Sequence, residues 1–200
     1  MQPDTGSMLL TGREPKEDRA WIALITGGAR SGKSSYAQQE ALRLSSCPVY
    51  VATARRDPAD EAFSSRIRRH MDDRDPRWTS IEEPLYVSRL DLDGKVVVID
   101  CVTLWLSNFF SLTRQDEEKS LQMIREEMEN LRKFRTRFLI VTNEIGMGVH
   151  AETEIGRRFT DLQGWANQYI AGLADEVVFM VSGIAMNIKS SLGQAFLQEK

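Results

Sequence analysis

Cysteine and histidine are almost missing from this 200-residue chain, each present only twice. Cys47 and Cys101 have no metal-type spacing and form no disulfide framework, which fits free thiols in a reducing compartment. Long apolar runs are absent too: none approaches the roughly 20 residues needed to cross a bilayer. There is no basic excess, since the net charge is −3, so no basic face is advertised for nucleic acid. Internal repeats and low-complexity segments are lacking. Residues 1–20 carry Pro3, Gly6, Gly12 and Pro15 among charges and no secretory apolar stretch. They read as a flexible N-terminal extension, and the expected location is the cytoplasm.

What is present suits one globular domain: 42% apolar residues can build a core at this length, and 28% charged is ordinary. That domain is expected over residues 21–190, with 191–200 as a C-terminal tail. A short apolar run, 21–26, has the composition of a buried parallel strand and leads through a glycine-rich turn into a helix ending near Leu44. Strands follow at 49–52, 96–100 and 138–142. Helices are expected at 104–112, 117–134 and 155–173, and a charged one opening at Asp57-Pro58 carries Phe63, Ile67 and Met71 as an apolar stripe. Glu82-Glu83-Pro84 reads as punctuation. Residues 143–150 read as loop, 176–181 as strand, and 185–188 as a further short strand.

Strands alternating with helices predict an α/β fold, a P-loop NTPase (RecA-like) domain with a largely parallel sheet flanked by helices. In such sheets the ligand sits beyond the carboxyl ends of the strands. Those ends carry residues 27–34, then Thr53, Ala54 and Arg55, then Asp100 and Thr103, and finally Asn143 and Glu144. The first group, Gly27-Gly28-Ala29-Arg30-Ser31-Gly32-Lys33-Ser34, matches the phosphate-loop pattern at every fixed position, between a strand and a helix. Glycines let backbone N–H groups surround a β-phosphate, and the helix N-terminus adds partial positive charge. Lys33 reaches the β- and γ-phosphates, and the Ser34 hydroxyl ligates Mg²⁺. Asp100 ends its apolar strand where the Mg²⁺-coupled carboxylate of P-loop proteins belongs. Ser34 and Asp100 are therefore the expected metal pair, on adjacent ends of the central sheet. The bland reading of Asp100 is a helix N-cap or a solvated strand end.

His70 borders the apolar stripe of its helix, where a half-buried structural histidine is the plain reading. The chemical reading is a nucleophile: imidazole, mostly neutral at pH 7, can attack a phosphate without a strong base. Arg66, Arg68, Arg69 and Arg74 nearby can hold phosphates or simply form a solvated face. His150, in a glycine-rich loop, is a candidate only for substrate contact.

The ordered set TGGARSGKS (26–34), VATA (51–54), RIRRH (66–70), WTSIEEP (78–84), IDCVTLWLSN (99–108), VTNEIGMGV (141–149), RRFTDLQGWANQ (157–168) and ADEVVFMVSGI (174–184) resembles a known family. It is the bifunctional adenosylcobinamide kinase and adenosylcobinamide-phosphate guanylyltransferase family of cobalamin biosynthesis. The resemblance implies two reactions: phosphorylation of the aminopropanol hydroxyl of adenosylcobinamide, then transfer of GMP from GTP through a guanylyl-histidine. The histidine falls on His70. Met71, Asp72, Asp73, Arg74, Glu82 and Asp100 match GTP-binding positions, and Thr53 to Arg55 another nucleotide-contacting stretch. Mg²⁺ as cofactor, GTP or ATP as co-substrate, a corrinoid acceptor and a homotrimer are implied in the same way. The chain departs from the family's pattern in its N-terminal extension and at Val149-His150-Ala151-Glu152, where relatives often read I-V-P-E. The rival expectations are a P-loop kinase for another small hydroxyl compound and a nucleotide-dependent switch or ATPase.

Overall fold

The computed structural model describes residues 19–55 and 76–190. The charged helix expected from Asp57, with Arg66, Arg68, Arg69, His70, Met71, Asp72, Asp73 and Arg74, lies outside the described residues, as do 1–18 and the tail 191–200.

Seven strands form one sheet: β1 (Trp21–Gly27), β2 (Val49–Ala52), β3 (Thr79–Glu82), β4 (Val96–Asp100), β5 (Arg137–Val141), β6 (Glu176–Val181) and β7 (Ile184–Lys189), in the order β3-β2-β4-β5-β1-β6-β7. All neighbours run parallel except β6 and β7, which form an antiparallel hairpin. The apolar runs read as buried strands are β1, β2, β4 and β5, nearly every residue of which is shielded from water, as sheets covered on both faces require. The expected strand near 185–188 is β7, slightly longer. Unexpected from the sequence is β3, which ends at Glu82, the first residue of the Glu82-Glu83-Pro84 punctuation; it is an edge strand with three of its four residues exposed.

Helix α1 (Lys33–Leu44) covers one face, where Ala37 and Ala41 meet Ala23, Ile25, Val98 and Leu139. The other face is covered by α2 (Val102–Leu112), α3 (Glu117–Leu131) and α4 (Glu154–Leu173), around a larger core containing Trp105, Phe109 and Phe138. Asp116 caps α3 by accepting from the Lys119 N–H at 3.0 Å, and Thr153 caps α4 through Gly156. Arg19 and Ala20, expected within the loose extension, are instead fixed to the domain. Arg19 forms a two-pronged ion pair with Asp175, and the fully buried Ala20 donates its N–H to the Arg132 carbonyl.

The crossover from β3 to β4 passes through a single 3-10 turn, Val87–Arg89, which the buried Glu127 of α3 ties down. Its carboxylate accepts from the Ser88 N–H at 2.9 Å and the Ser88 hydroxyl at 2.8 Å. Burial pushes the Glu127 carboxyl above its usual 4.5, against the pull of those two hydrogen bonds. Folding thus raises its proton affinity, so its contribution to stability is fully present below pH 4.5 and is lost as pH rises through the folded-state value. Glu127→Gln is expected to flatten this decline in denaturant-unfolding free energy across the mildly acidic range. A curve parallel to that of the parent protein would contradict it.

Candidate active site

The parallel register lines up the strand exits. Glu82, Ala52, Asp100, Val141, Ile25 and Val178 sit side by side in one row across β3, β2, β4, β5, β1 and β6. Thr53, Asp100, Thr142 and Gly27 therefore emerge along a single edge, as a ligand site at the carboxyl ends of strands requires.

At that edge β1 runs into the phosphate loop. Gly27 has φ 150°, and a Cβ there would lie 2.4 Å from the Met180 carbonyl oxygen, so no other residue fits. Gly32, at φ 96°, and Arg30, at φ 56°, hold left-handed conformations that turn successive N–H groups toward one concavity. Ser31 is buried and accepts from the Gly183 N–H at 3.0 Å, so the β6–β7 turn braces the loop from outside. Gly28, Ala29 and Arg30 stay exposed, while Ser34 is half-buried in the first turn of α1. No acidic residue occupies that first turn, leaving the positive end of the helix dipole open to an anion.

Lys33 is only 6% exposed, and its ammonium donates to the Gly28 carbonyl at 2.5 Å and the Ser31 hydroxyl at 3.4 Å. Burial pulls its pKa below the usual 10.5, while the nearby Asp100 charge works in the opposite direction. A cation satisfied only by loop oxygens gains when phosphate oxygens replace them.

Asp100 and the phosphate loop do not leave adjacent strands as expected: β5 lies between β4 and β1. Two strand spacings put roughly 10 Å between those ends in the sheet plane. Helix α1 closes the gap by leaning back over β5 and β4, which is why Lys33 senses the Asp100 charge. The Tyr50 hydroxyl donates to Asp100 Oδ2 at 2.7 Å, and Trp78 packs edge-on against Tyr50, with ring centres 6.0 Å apart. That contact fixes one carboxylate oxygen. Beside it Cys101 is buried and its thiol is pushed up to about 12 by burial, then by Asp100, so it stays protonated. Cys47, after α1, is exposed.

Thr53 is fully buried; its hydroxyl donates to the Cys101 carbonyl at 2.8 Å, and its own carbonyl accepts from Asn108. Ala54 is half-buried and Arg55 exposed; the side chain of Glu82 is exposed at the end of the edge strand. His150 is exposed in its loop, whereas His70, Met71, Asp72, Asp73 and Arg74 lie outside the described residues.

Position in sequence alone did not single out the polar group beneath the β5 exit. Thr142, Gln163 and Asn167 are all buried, and Thr142 and Gln163 both bond to Asn167 Oδ1, at 2.7 and 2.9 Å. The legible signal was a polar pair at i, i+4 on the apolar face of α4. A cavity of about 490 Å³ between the 3-10 turn and α3, lined by Tyr86, Arg89, Phe109, Met123 and Lys133 among others, includes no phosphate-loop residue. The chemistry sits at the sheet edge instead. Among the described residues no cluster of three or more His, Cys, Asp or Glu side chains could hold a metal by itself, and no helix is long and apolar enough to cross a membrane.

Residues 23–188 match the family model described as cobinamide kinase / cobinamide phosphate guanyltransferase. The bifunctional adenosylcobalamin biosynthesis protein CobP of Pseudomonas aeruginosa is 37% identical over 171 residues, which cover 83% of this chain and 96% of that protein. The bifunctional adenosylcobalamin biosynthesis protein CobU of Escherichia coli is 33% identical over 183 residues, covering 84% and 99%. Among solved structures, an ATPase from a type III secretion system of pathogenic bacteria superimposes with a TM-score of 0.54 at 7% identity, over 84% of this chain and 56% of that one. This last likeness concerns the fold alone.

Gly27→Ala tests the loop geometry. The clash with Met180 is expected to lower stability by roughly 1–3 kcal/mol and to weaken nucleotide affinity at least tenfold. Thermal unfolding and nucleotide titration read the two effects, and unchanged affinity would mean that the loop does not cradle phosphate.

Proposed function

The chain belongs to the cobinamide kinase / cobinamide phosphate guanyltransferase family, and from that premise we propose how its residues divide the two reactions. It is a bifunctional transferase of cobalamin biosynthesis that uses nucleotide substrates on a P-loop fold. The observation that carries the residue assignment is the shared row of strand exits. The phosphate loop, Asp100, Thr53 and Glu82 share one edge, and the buried Lys33 ammonium, bonded to loop oxygens, feels the Asp100 charge.

In the kinase reaction, residues 27–34 hold the β- and γ-phosphates of GTP or ATP, and Lys33 leaves its loop oxygens to follow charge developing on the γ-phosphoryl group. The Ser34 hydroxyl and the Asp100 oxygen not engaged by Tyr50 are hard donors that would hold Mg²⁺. Bound there, it would supply charge neutralisation to the nucleotide phosphates. In the second reaction His70 attacks the α-phosphate of GTP, pyrophosphate leaves, and GMP passes from the imidazole to adenosylcobinamide phosphate, giving adenosylcobinamide-GDP. Met71, Asp72, Asp73, Arg74, Glu82 and residues 53–55 are the nucleotide contacts in this reading. The assembly is a homotrimer and the location cytoplasmic.

Three outcomes are expected. Lys33→Ala lowers the kinase rate by about 10²–10³ in a folded protein, the usual loss for one preorganised positive group. Asp100→Asn raises the Mg²⁺ concentration for half-maximal activity; an unchanged dependence would return Asp100 to a structural role. Label from α-labelled but not γ-labelled GTP becomes bound to the protein, is acid-labile and base-stable, and is discharged by adenosylcobinamide phosphate. His70→Ala abolishes the labelling and retains some kinase activity, whereas His150→Ala still labels. A His70→Ala protein that labels normally would assign the nucleophile elsewhere.

A further inference from the structure

The nucleotide side of the site is accounted for by residues leaving β1, β2, β3 and β4. The exit of β5, beside the phosphate loop on the sheet, is not used by that assignment, yet it is anchored on several sides. Glu144 donates its N–H to the Gly27 carbonyl at 3.0 Å, which fixes its backbone directly against the start of the loop. Asn143 donates both its backbone and side-chain N–H groups to the Thr103 hydroxyl, at 3.2 and 3.1 Å. From below, Asn167 donates to the Asn143 carbonyl at 3.1 Å and to the Glu144 carboxylate at 3.4 Å. Asn167 is itself held by the buried Thr142 and Gln163. Burying three polar side chains costs free energy unless their bonds are made, and here Gln163 Oε1 finds no partner among the described residues. A fold that tolerates this is fixing the position of something, and what stands on the network is Glu144.

Across the exits of β1, β4 and β5 the carboxylates are Asp100 and Glu144. Asp100 is engaged by Tyr50 and faces the Lys33 side. Among the described residues Glu144 accepts only the long contact from Asn167 and is half-buried, so an oxygen remains to accept from an incoming hydroxyl. Beyond it the loop changes character. Met147 is 74% and Val149 99% exposed, two apolar side chains in water at the tip of a loop whose base is rigid. Isolated exposed apolar residues are ordinary; a pair on a loop whose anchored base starts beside the phosphate loop suits a large, partly apolar acceptor.

We propose that residues 143–150 are the acceptor-binding element of the kinase reaction. Glu144 holds the hydroxyl that becomes phosphorylated, and Met147 and Val149 meet the apolar face of the corrinoid. This rests on the functional reading above and deepens it. In the transfer, the hydroxyl proton passes to the Glu144 carboxylate as the oxygen bonds to the γ-phosphorus. The bond from that phosphorus to the β-bridging oxygen breaks, and the nucleoside diphosphate leaves with the electron pair. Glu144 then returns the proton to solvent.

The test uses the full chain, adenosylcobinamide and a nucleoside triphosphate in steady state, with protein labelling from α-labelled GTP measured in parallel. For the double variant Met147→Ser, Val149→Ser, the KM for adenosylcobinamide is expected to rise about tenfold, with the nucleotide KM unchanged. Glu144→Gln is expected to lose about 10²-fold or more in kinase kcat. It keeps nucleotide affinity and protein labelling, and Glu144→Asp recovers part of the rate. An unchanged corrinoid KM in the double variant overturns the acceptor site. So does a Glu144→Gln protein with the parent rate, or one that loses nucleotide affinity along with turnover, because Glu144 would then only prop the phosphate loop. A parent protein that labels but phosphorylates no adenosylcobinamide would instead refute the kinase half of the functional reading, and this inference with it.

Discussion

The contact on which everything else hangs is the backbone pinch at Gly27. With no side chain to hold them apart, the end of β1 presses against the Met180 carbonyl of β6 on one side and accepts the Glu144 N–H of the β5 exit on the other. A residue of any other type would push β6 away and carry the β6–β7 turn with it, removing the Gly183 bond that braces Ser31. The phosphate loop is thus a feature of three strands and a hairpin, although its pattern is confined to eight consecutive residues.

The second constraint is the parallel register. Because every strand from β3 to β6 runs the same way, every exit falls on one edge, and the chemistry is concentrated without any element reaching across the fold. Parallel pairing leaves β5 between the loop strand and the Asp100 strand, and α1 must bridge that distance by its tilt. The buried Lys33 pays part of the cost of this arrangement as desolvation, and phosphate oxygens are the partners that would offset it.

The buried strands and the loop were legible in the sequence because their signals are local: uninterrupted apolar runs, and glycines at fixed spacing before Lys33 and Ser34. The β3 strand was not, since Thr79, Ser80 and Glu82 are exposed at the sheet edge and show no apolar pattern, and only pairing with β2 makes them a strand. Strand order was likewise beyond reach. The expectation that Ser34 and Asp100 leave neighbouring strands failed because adjacency is decided by segments more than a hundred residues apart, such as β1 and β5. Arg19 and Ala20 were assigned to a loose extension because prolines and charges dominate what precedes them, whereas their anchors, Asp175 and Arg132, come much later in the chain. The Thr142, Gln163 and Asn167 network shows the same limit. Each residue alone looks like an ordinary polar side chain, and only the packing of α4 on the β5 exit reveals that they act together.

The contrast between the two thiols has a practical side. Cys101 is sealed beside Asp100 and stays protonated, while Cys47 stands in solvent just past the end of α1. The twelve residues of that helix span about 18 Å, so the lone accessible thiol lies one helix length from the phosphate loop. A maleimide dye would therefore attach at one defined point without mutagenesis, outside the catalytic edge yet rigidly coupled to it. The chain carries its own spectroscopic handle.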